Sequence, residues 1–288
     1  MKRQLAYLGE SEIPPNFSPI KEINEEEFLM YQNCNQIIDE TQHLMDLFLV
    51  HKLNYQELID FQTQEINEIL SDTKHFMNIG NEKYTFLKIE INRLLINYLG
   101  SYKMFIEHCE KKINNQFGAK SQEFRDFKLM TNKAYDNLFS YRFIYELRNF
   151  CQHCGIAVTD LEFSNQNKWI EVNFQFEKDY LLKEYKKWKQ KVKSDLENME
   201  DKFNINPIIN TNFQAIENFS KQIHLLYQEK FMSSLKELNN FTQPYRKERK
   251  DKRVLVILTE KNKTDLGMQL TINKFPFDII DKFINGIC

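Results

Sequence analysis

Arg148, Asn149 and His153 fall within six consecutive residues, Arg148-Asn149-Phe150-Cys151-Gln152-His153. Together they offer the groups that cleavage of a ribose phosphodiester needs. Such a reaction removes the 2'-hydroxyl proton, neutralises charge building on the phosphoryl oxygens and protonates the leaving oxygen. Arginine brings a permanently charged fork that matches phosphate geometry, and histidine is the side chain suited to exchanging protons near neutral pH. Asn149 would orient His153 or hold the phosphate. Because the attacking oxygen belongs to the substrate, this chemistry needs neither metal nor cofactor, and the sequence carries no carboxylate cluster of the kind a two-metal nuclease uses.

These residues need a rigid element behind them. Prolines stand only at positions 14, 15, 19, 207, 244 and 276, so residues 20–206 are free of the strongest helix breaker. Residues 83–116 read as one long helix and 121–154 as a second, joined by a short connection around Asn114, Asn115 and Gly118 and closed by Gly155. Two such helices pack as an antiparallel hairpin. On an ideal helix Arg148 and His153 lie roughly 140° apart around the axis, so they do not share one face; either the helix end is distorted or both side chains reach a groove formed with another helix. Counting back equal distances from Gly118 places Arg148 beside residues 86–92, which makes Glu90 a candidate support for Arg148 or His153.

Composition agrees with a large helical core. The chain has 288 residues, 42% of them apolar, with 24 Phe and 13 Tyr against 7 Gly and 6 Pro. Charge is nearly balanced, at 39 basic and 41 acidic residues, so no global field drives it onto nucleic acid or anionic lipid. No run has signal-peptide or membrane-span length, and a cytoplasmic location without a membrane partner is expected. Five scattered cysteines read as reduced thiols.

The expected fold class is mainly α: an antiparallel helical bundle with a small β-hairpin insertion and a small α/β C-terminal appendage. Residues 1–80 read as an extended arm (1–20) followed by helices at 35–50 and 54–72. Residues 81–240 form the bundle, with alternation at 158–163 and 169–176 marking the hairpin and helices at 178–203 and 208–240. Residues 241–288 give strand, strand and helix.

The element at Arg148, Asn149 and His153, at the end of a long bundle helix, resembles the catalytic pattern of the HEPN superfamily: Arg, a polar residue, a few variable positions, then His. The stretch from Tyr141 to His153 has the same look, and the resemblance covers about residues 83–240. It implies a helical-bundle endoribonuclease acting in phage defence or a toxin system. Arg148 and His153 would be catalytic with Asn149 assisting, on an RNA substrate, with an antitoxin or activating protein as a further partner. It also implies a homodimer, because the superfamily builds its cleft from two such elements and this chain has one. A subgroup silenced by nucleotidylation has Tyr two residues after the His; Gly155 stands there here, so that mode of silencing is not implied. The alternative expectation is a non-catalytic module of the same fold that binds RNA or protein.

Lys183, Lys186 and Lys187, with Tyr185 and Trp188 between them, and Arg246 and Arg249 in the basic block at 246–253 are candidates for secondary RNA contacts, although a solvated face is the more common reason for such runs. Cys151 and Cys154, with His153, form half of a common zinc pattern, but a second pair at suitable spacing is missing.

Overall fold

The computed structural model describes residues 2–9, 16–65, 81–166, 169–247, 253–264 and 267–285. They are mainly helical, with two small antiparallel sheets. The chain divides into two compact units, one made of Met1–His43 with Leu225–Cys288 and the other of Leu44–His224. This differs from the expected division at residues 80 and 240, because the two chain ends share one sheet.

In the unit formed by the chain ends, β1 (Arg3–Leu8) pairs with β2 (Phe17–Glu22) and with β6 (Val254–Thr264), which pairs in turn with β7 (Gly267–Lys274). The expected N-terminal arm therefore supplies two strands. Pro19 is tolerated because β2 is an edge strand and the register shifts at Leu5/Ala6, beside it. The two faces alternate with period two: Leu5, Leu255 and Ile257 join one apolar cluster and Ala6, Val256 and Leu258 another. The first face packs on Phe28, Tyr31 and Ile38 of α1 (Glu25–Asp60), on Leu235 and Leu238 of α7 (Asn206–Lys247), and on Ile280 of α8 (Phe277–Ile284).

The expected helices at 35–50 and 54–72 are one helix, α1, which continues as a π turn at Phe61–Glu65; residues 66–72 lie outside the described residues.

The unit Leu44–His224 is built on α2 (Asn81–Phe117). Its buried residues, from Leu87, Ile91 and Leu94 through Tyr98, Tyr102 and Phe105 to Cys109 and Ile113, recur every three or four positions and form one stripe. Gly118, at φ +94°, turns the chain out of α2 and donates to Asn114 O at 2.8 Å. Ser121 then caps the next helix by accepting from the Phe124 N–H at 3.0 Å.

The second arm of the expected hairpin is not one helix but two, α3 (Gln122–Asn137) and α4 (Phe139–His153), separated by Leu138 in an extended conformation. The break frees carbonyls in the last turn of α3, and the buried Arg142 side chain takes up two of them, donating to Tyr135 O at 3.3 Å and Asp136 O at 3.4 Å. Its Nε pairs with Asp195 at 2.5 Å. One arginine thus satisfies a helix end that neither proline nor glycine marks in the sequence.

The hairpin forms as expected from β3 (Asp160–Gln166) and β4 (Trp169–Glu177), with β5 (Lys202–Asn204) added beside β4. The helix expected over 178–203 is instead α5 (Lys178–Glu184) and α6 (Gln190–Glu197). The turn between them exists to bury aromatics: Tyr185 and Trp188 are each 7% exposed, and Trp188 donates to Leu181 O at 2.9 Å while stacking on Phe143 and Phe150.

Candidate functional site at the end of α4

Helix α4 is positioned by three devices. Arg142 fixes its start, as described. Phe143, Leu147 and Phe150 are fully buried along one side. Beyond its end, Asn92 of α2 clasps the Val158 backbone, donating to its carbonyl and accepting from its N–H, both at 3.0 Å. Asn92 was not singled out from the sequence, and a lone Asn on a helix gives no signal of such a clasp.

The helix stays regular through His153, whose successor Cys154 donates to Phe150 O at 2.8 Å. Only then does Gly155 leave the helix, at φ +149°. The distortion that would have brought Arg148 and His153 together is therefore absent, and the roughly 140° between them stands. Arg148 is half-buried and makes no hydrogen bond or ion pair with a described residue. His153 is exposed at the last position of α4.

Asn149, in contrast, is engaged. It accepts from Lys103 Nζ at 3.4 Å and donates to Glu146 Oε2 at 3.3 Å. Lys103 belongs to the middle of α2, so the register expected from equal counting, with Arg148 beside 86–92, does not hold. The break at Leu138 reorients the chain before α4 begins. Glu90 lies in a different network: both of its oxygens take Arg93, at 2.8 and 2.6 Å, and Arg93 also reaches Glu57 at 3.0 Å. Glu90 makes no hydrogen bond to Arg148 or His153.

Arg142, Glu146, Asn149 and His153 fall at i, i+4, i+7 and i+11, which is one helical stripe. Glu146 is its unexpected member, with a side chain only 3% exposed. Lys189, from the α5–α6 turn, stands 3.3 Å from its Oε1 at ion-pair distance, without hydrogen-bond alignment. The Lys189 ammonium also sits 5.1 Å from the Tyr135 ring centre and 5.3 Å from that of Tyr145. Burial alone would lower the Lys189 pKa, but the neighbouring Tyr135 and Glu146 outweigh it and raise it above 10.5. Tyr135, Tyr145 and Lys189, with Glu110 and Lys128 paired at 2.9 Å, line a cavity of about 340 Å³. The helical spacing of this stripe is visible in the sequence; the lysine that meets it is not.

The secondary candidates fare differently. Lys183, Lys186 and Lys187 are exposed, but the stacking role expected of Tyr185 and Trp188 is overturned by their burial. Arg246, in the unit of the chain ends, pairs with Asp281 and covers the Phe277 ring at 4.7 Å. Arg249 lies outside the described residues. Burial pushes the Cys151 thiol up to about 12, helped by nearby Cys154, which itself donates to Glu184 O at 3.3 Å. No group of three His, Cys, Asp or Glu with metal-holding geometry occurs among the described residues.

The chain matches no protein-family model, no curated protein and no solved structure. Among the described residues no helix is long and apolar enough to cross a membrane.

Proposed function

We propose that the chain is a metal-independent endoribonuclease of HEPN type whose active centre is completed by a second copy. One observation carries the reading: Arg148 has no hydrogen-bond or ion-pair partner among the described residues, and His153 is exposed five residues further along a helix anchored at both ends. A guanidinium held half-buried with no described carboxylate paired to it is a ready phosphate ligand. Arg148 of one chain and His153 of the other would flank a scissile phosphate. His153 takes the 2'-hydroxyl proton or supplies one to the leaving oxygen, and Arg148 neutralises the phosphoryl oxygens. The products are a 2',3'-cyclic phosphate and a 5'-hydroxyl. Asn149 supports Arg148 and His153 by pinning this turn of α4 to Lys103. A host-defence or toxin setting, with a protein that triggers or silences the activity, belongs to the same proposal.

The test incubates purified protein with mixed RNA in EDTA, beside Arg148→Ala and His153→Ala. Cleavage by the wild type and its loss in both variants is the expected result. Intact RNA in all three, with any activating partner present, refutes catalysis, and cleavage retained by both variants refutes the site.

One observation favours a second reading, a non-catalytic module that holds RNA or protein: the Asn149 amide is already spent on Lys103 and Glu146. Wild-type binding of RNA without cleavage would select it.

A further inference from the structure

We infer that the solvent face of α2 centred on Gly100 is a self-association surface, on which α2 crosses α2 of a second copy in antiparallel sense. Gly100 stands in the interior of a 37-residue helix, where glycine is the least favourable residue after proline. Among the described residues nothing explains it: it is exposed, and a Cβ built there meets no atom of them within 4 Å. The missing side chain leaves open space beside the helix, and a second helix backbone is the partner that such an opening admits at close range.

The residues around Gly100 suit a copy of themselves. Ile96 and Met104 are 44% and 36% exposed on the same stripe. An antiparallel crossing at Gly100 sets residue i against residue 200 − i of the copy. Ile96 then meets Met104, apolar on apolar. Arg93, which already holds Glu90 and Glu57 of its own chain, meets Glu107, and each such match occurs twice by symmetry. Glu107 is held within its own chain only loosely, by Lys103 at 3.7 Å. A stable interface takes roughly 800 Å² from each partner, more than one helix crossing supplies. The adjoining α1 adds Leu49, Val50 and Leu53, all at least 42% exposed, along an edge tied to α2 by the Glu57–Arg93 pair.

The symmetry has a consequence for α4. A two-fold axis lying across two such antiparallel helices keeps lateral sides, so both copies of α4 fall on the same flank. The two copies of Lys103, each holding an Asn149, stand six positions apart along the pair, about 9 Å of helix rise. This gives the ribonuclease reading its composite cleft. The surface itself stands on α1 and α2 alone and does not depend on that reading.

Sedimentation velocity of the full chain tests it. The wild type is expected to dimerise, and Gly100→Leu, which favours the helix itself, to weaken the dimer at least about tenfold. Arg93→Glu weakens it as well, and Arg93→Glu with Glu107→Arg restores it, far-ultraviolet circular dichroism confirming the fold of each. In oxidised glutathione, Gly100→Cys forms a covalent dimer by thiol–disulfide exchange, releasing reduced glutathione, while Leu129→Cys, exposed on α3, does not. A monomeric wild type, or a dimer unmoved by Gly100→Leu and not cross-linked through position 100, overturns the inference. A cross-linked dimer that leaves RNA intact upholds the surface and overturns the ribonuclease reading instead.

Discussion

Lys189 Nζ stands 3.3 Å from Oε1 of Glu146, a carboxylate whose side chain is 3% exposed. Removing the lysine leaves that carboxylate buried without its counter-charge. Breaking a fully buried pair costs several kcal/mol, but Lys189 is 57% exposed and water screens part of the interaction. Lys189→Ala is therefore expected to lower the unfolding free energy by about 1–2 kcal/mol, measured by urea titration. Glu146→Gln, which removes the need for a counter-charge, costs less. The Lys189 pKa is raised in the folded chain, so the stabilisation is complete below 10.5 and fades only as pH climbs through the folded value.

Arg142 satisfies Tyr135 O, Asp136 O and Asp195 at once, from a side chain 9% exposed. Arg142→Ala orphans a carboxylate and two carbonyls together and is expected to cost about 3 kcal/mol. Arg142→Lys keeps the charge but not the fork, and recovers less than half of the loss. Both are read from chemical denaturation midpoints. If Arg142→Ala is neutral, the break at Leu138 holds without its guanidinium.

These two arginine and lysine contacts also show where sequence reading stopped. The long α2, the turn at Gly118, the β3–β4 hairpin and the C-terminal strand, strand and helix were legible, because local periodicity and turn residues encode them. The break at Leu138 was not, since the guanidinium that takes up its freed carbonyls is itself held by Asp195, more than fifty residues away. The strands β1 and β2 were hidden for a similar reason: residues 3–8 become a strand by pairing with β6 at the far end of the chain. The basic run around Lys183–Lys193 looked like one helix with stacking aromatics, because nothing local reveals that Phe143 and Phe150 wait to bury Trp188. Arg148 and His153 can be proposed from their own types and spacing. Glu146 and Lys189, which meet only in three dimensions, cannot.

His51 is fully buried against Tyr98, Tyr102 and Phe213, with Nδ1 3.1 Å from Ser101 Oγ and Nε2 without a hydrogen-bond partner among the described residues. Burial lowers its pKa from 6.5 to about 3, so the folded chain keeps it neutral where the unfolded chain takes a proton. Stability is then full above pH 6.5 and falls as pH drops toward 3, by about 3 kcal/mol at a pH two units below the unfolded value. Unfolding titrations of wild type and His51→Gln between neutrality and pH 4.5 check this. A wild-type slope no steeper than the variant's would show that His51 is not the group responsible.

Arg148 and His153 are separated around a regular helix, so a centre built within one chain and a centre shared between two make different predictions for mixtures. Neither side chain has a partner to lose among the described residues, and Arg148→Ala and His153→Ala should each change stability by less than about 0.5 kcal/mol while abolishing cleavage as pure proteins. Random re-association of the two variants makes half of the dimers mixed. In a shared centre, each mixed dimer joins the intact Arg148 of one chain to the intact His153 of the other at one of its two sites. The mixture should therefore recover about a quarter of wild-type cleavage. A centre confined to one chain recovers none, since every chain in the mixture lacks one of the two groups. Activity of the mixture, measured after exchange through mild denaturant, decides between them: recovery near a quarter assigns Arg148 and His153 to opposite sides of one cleft.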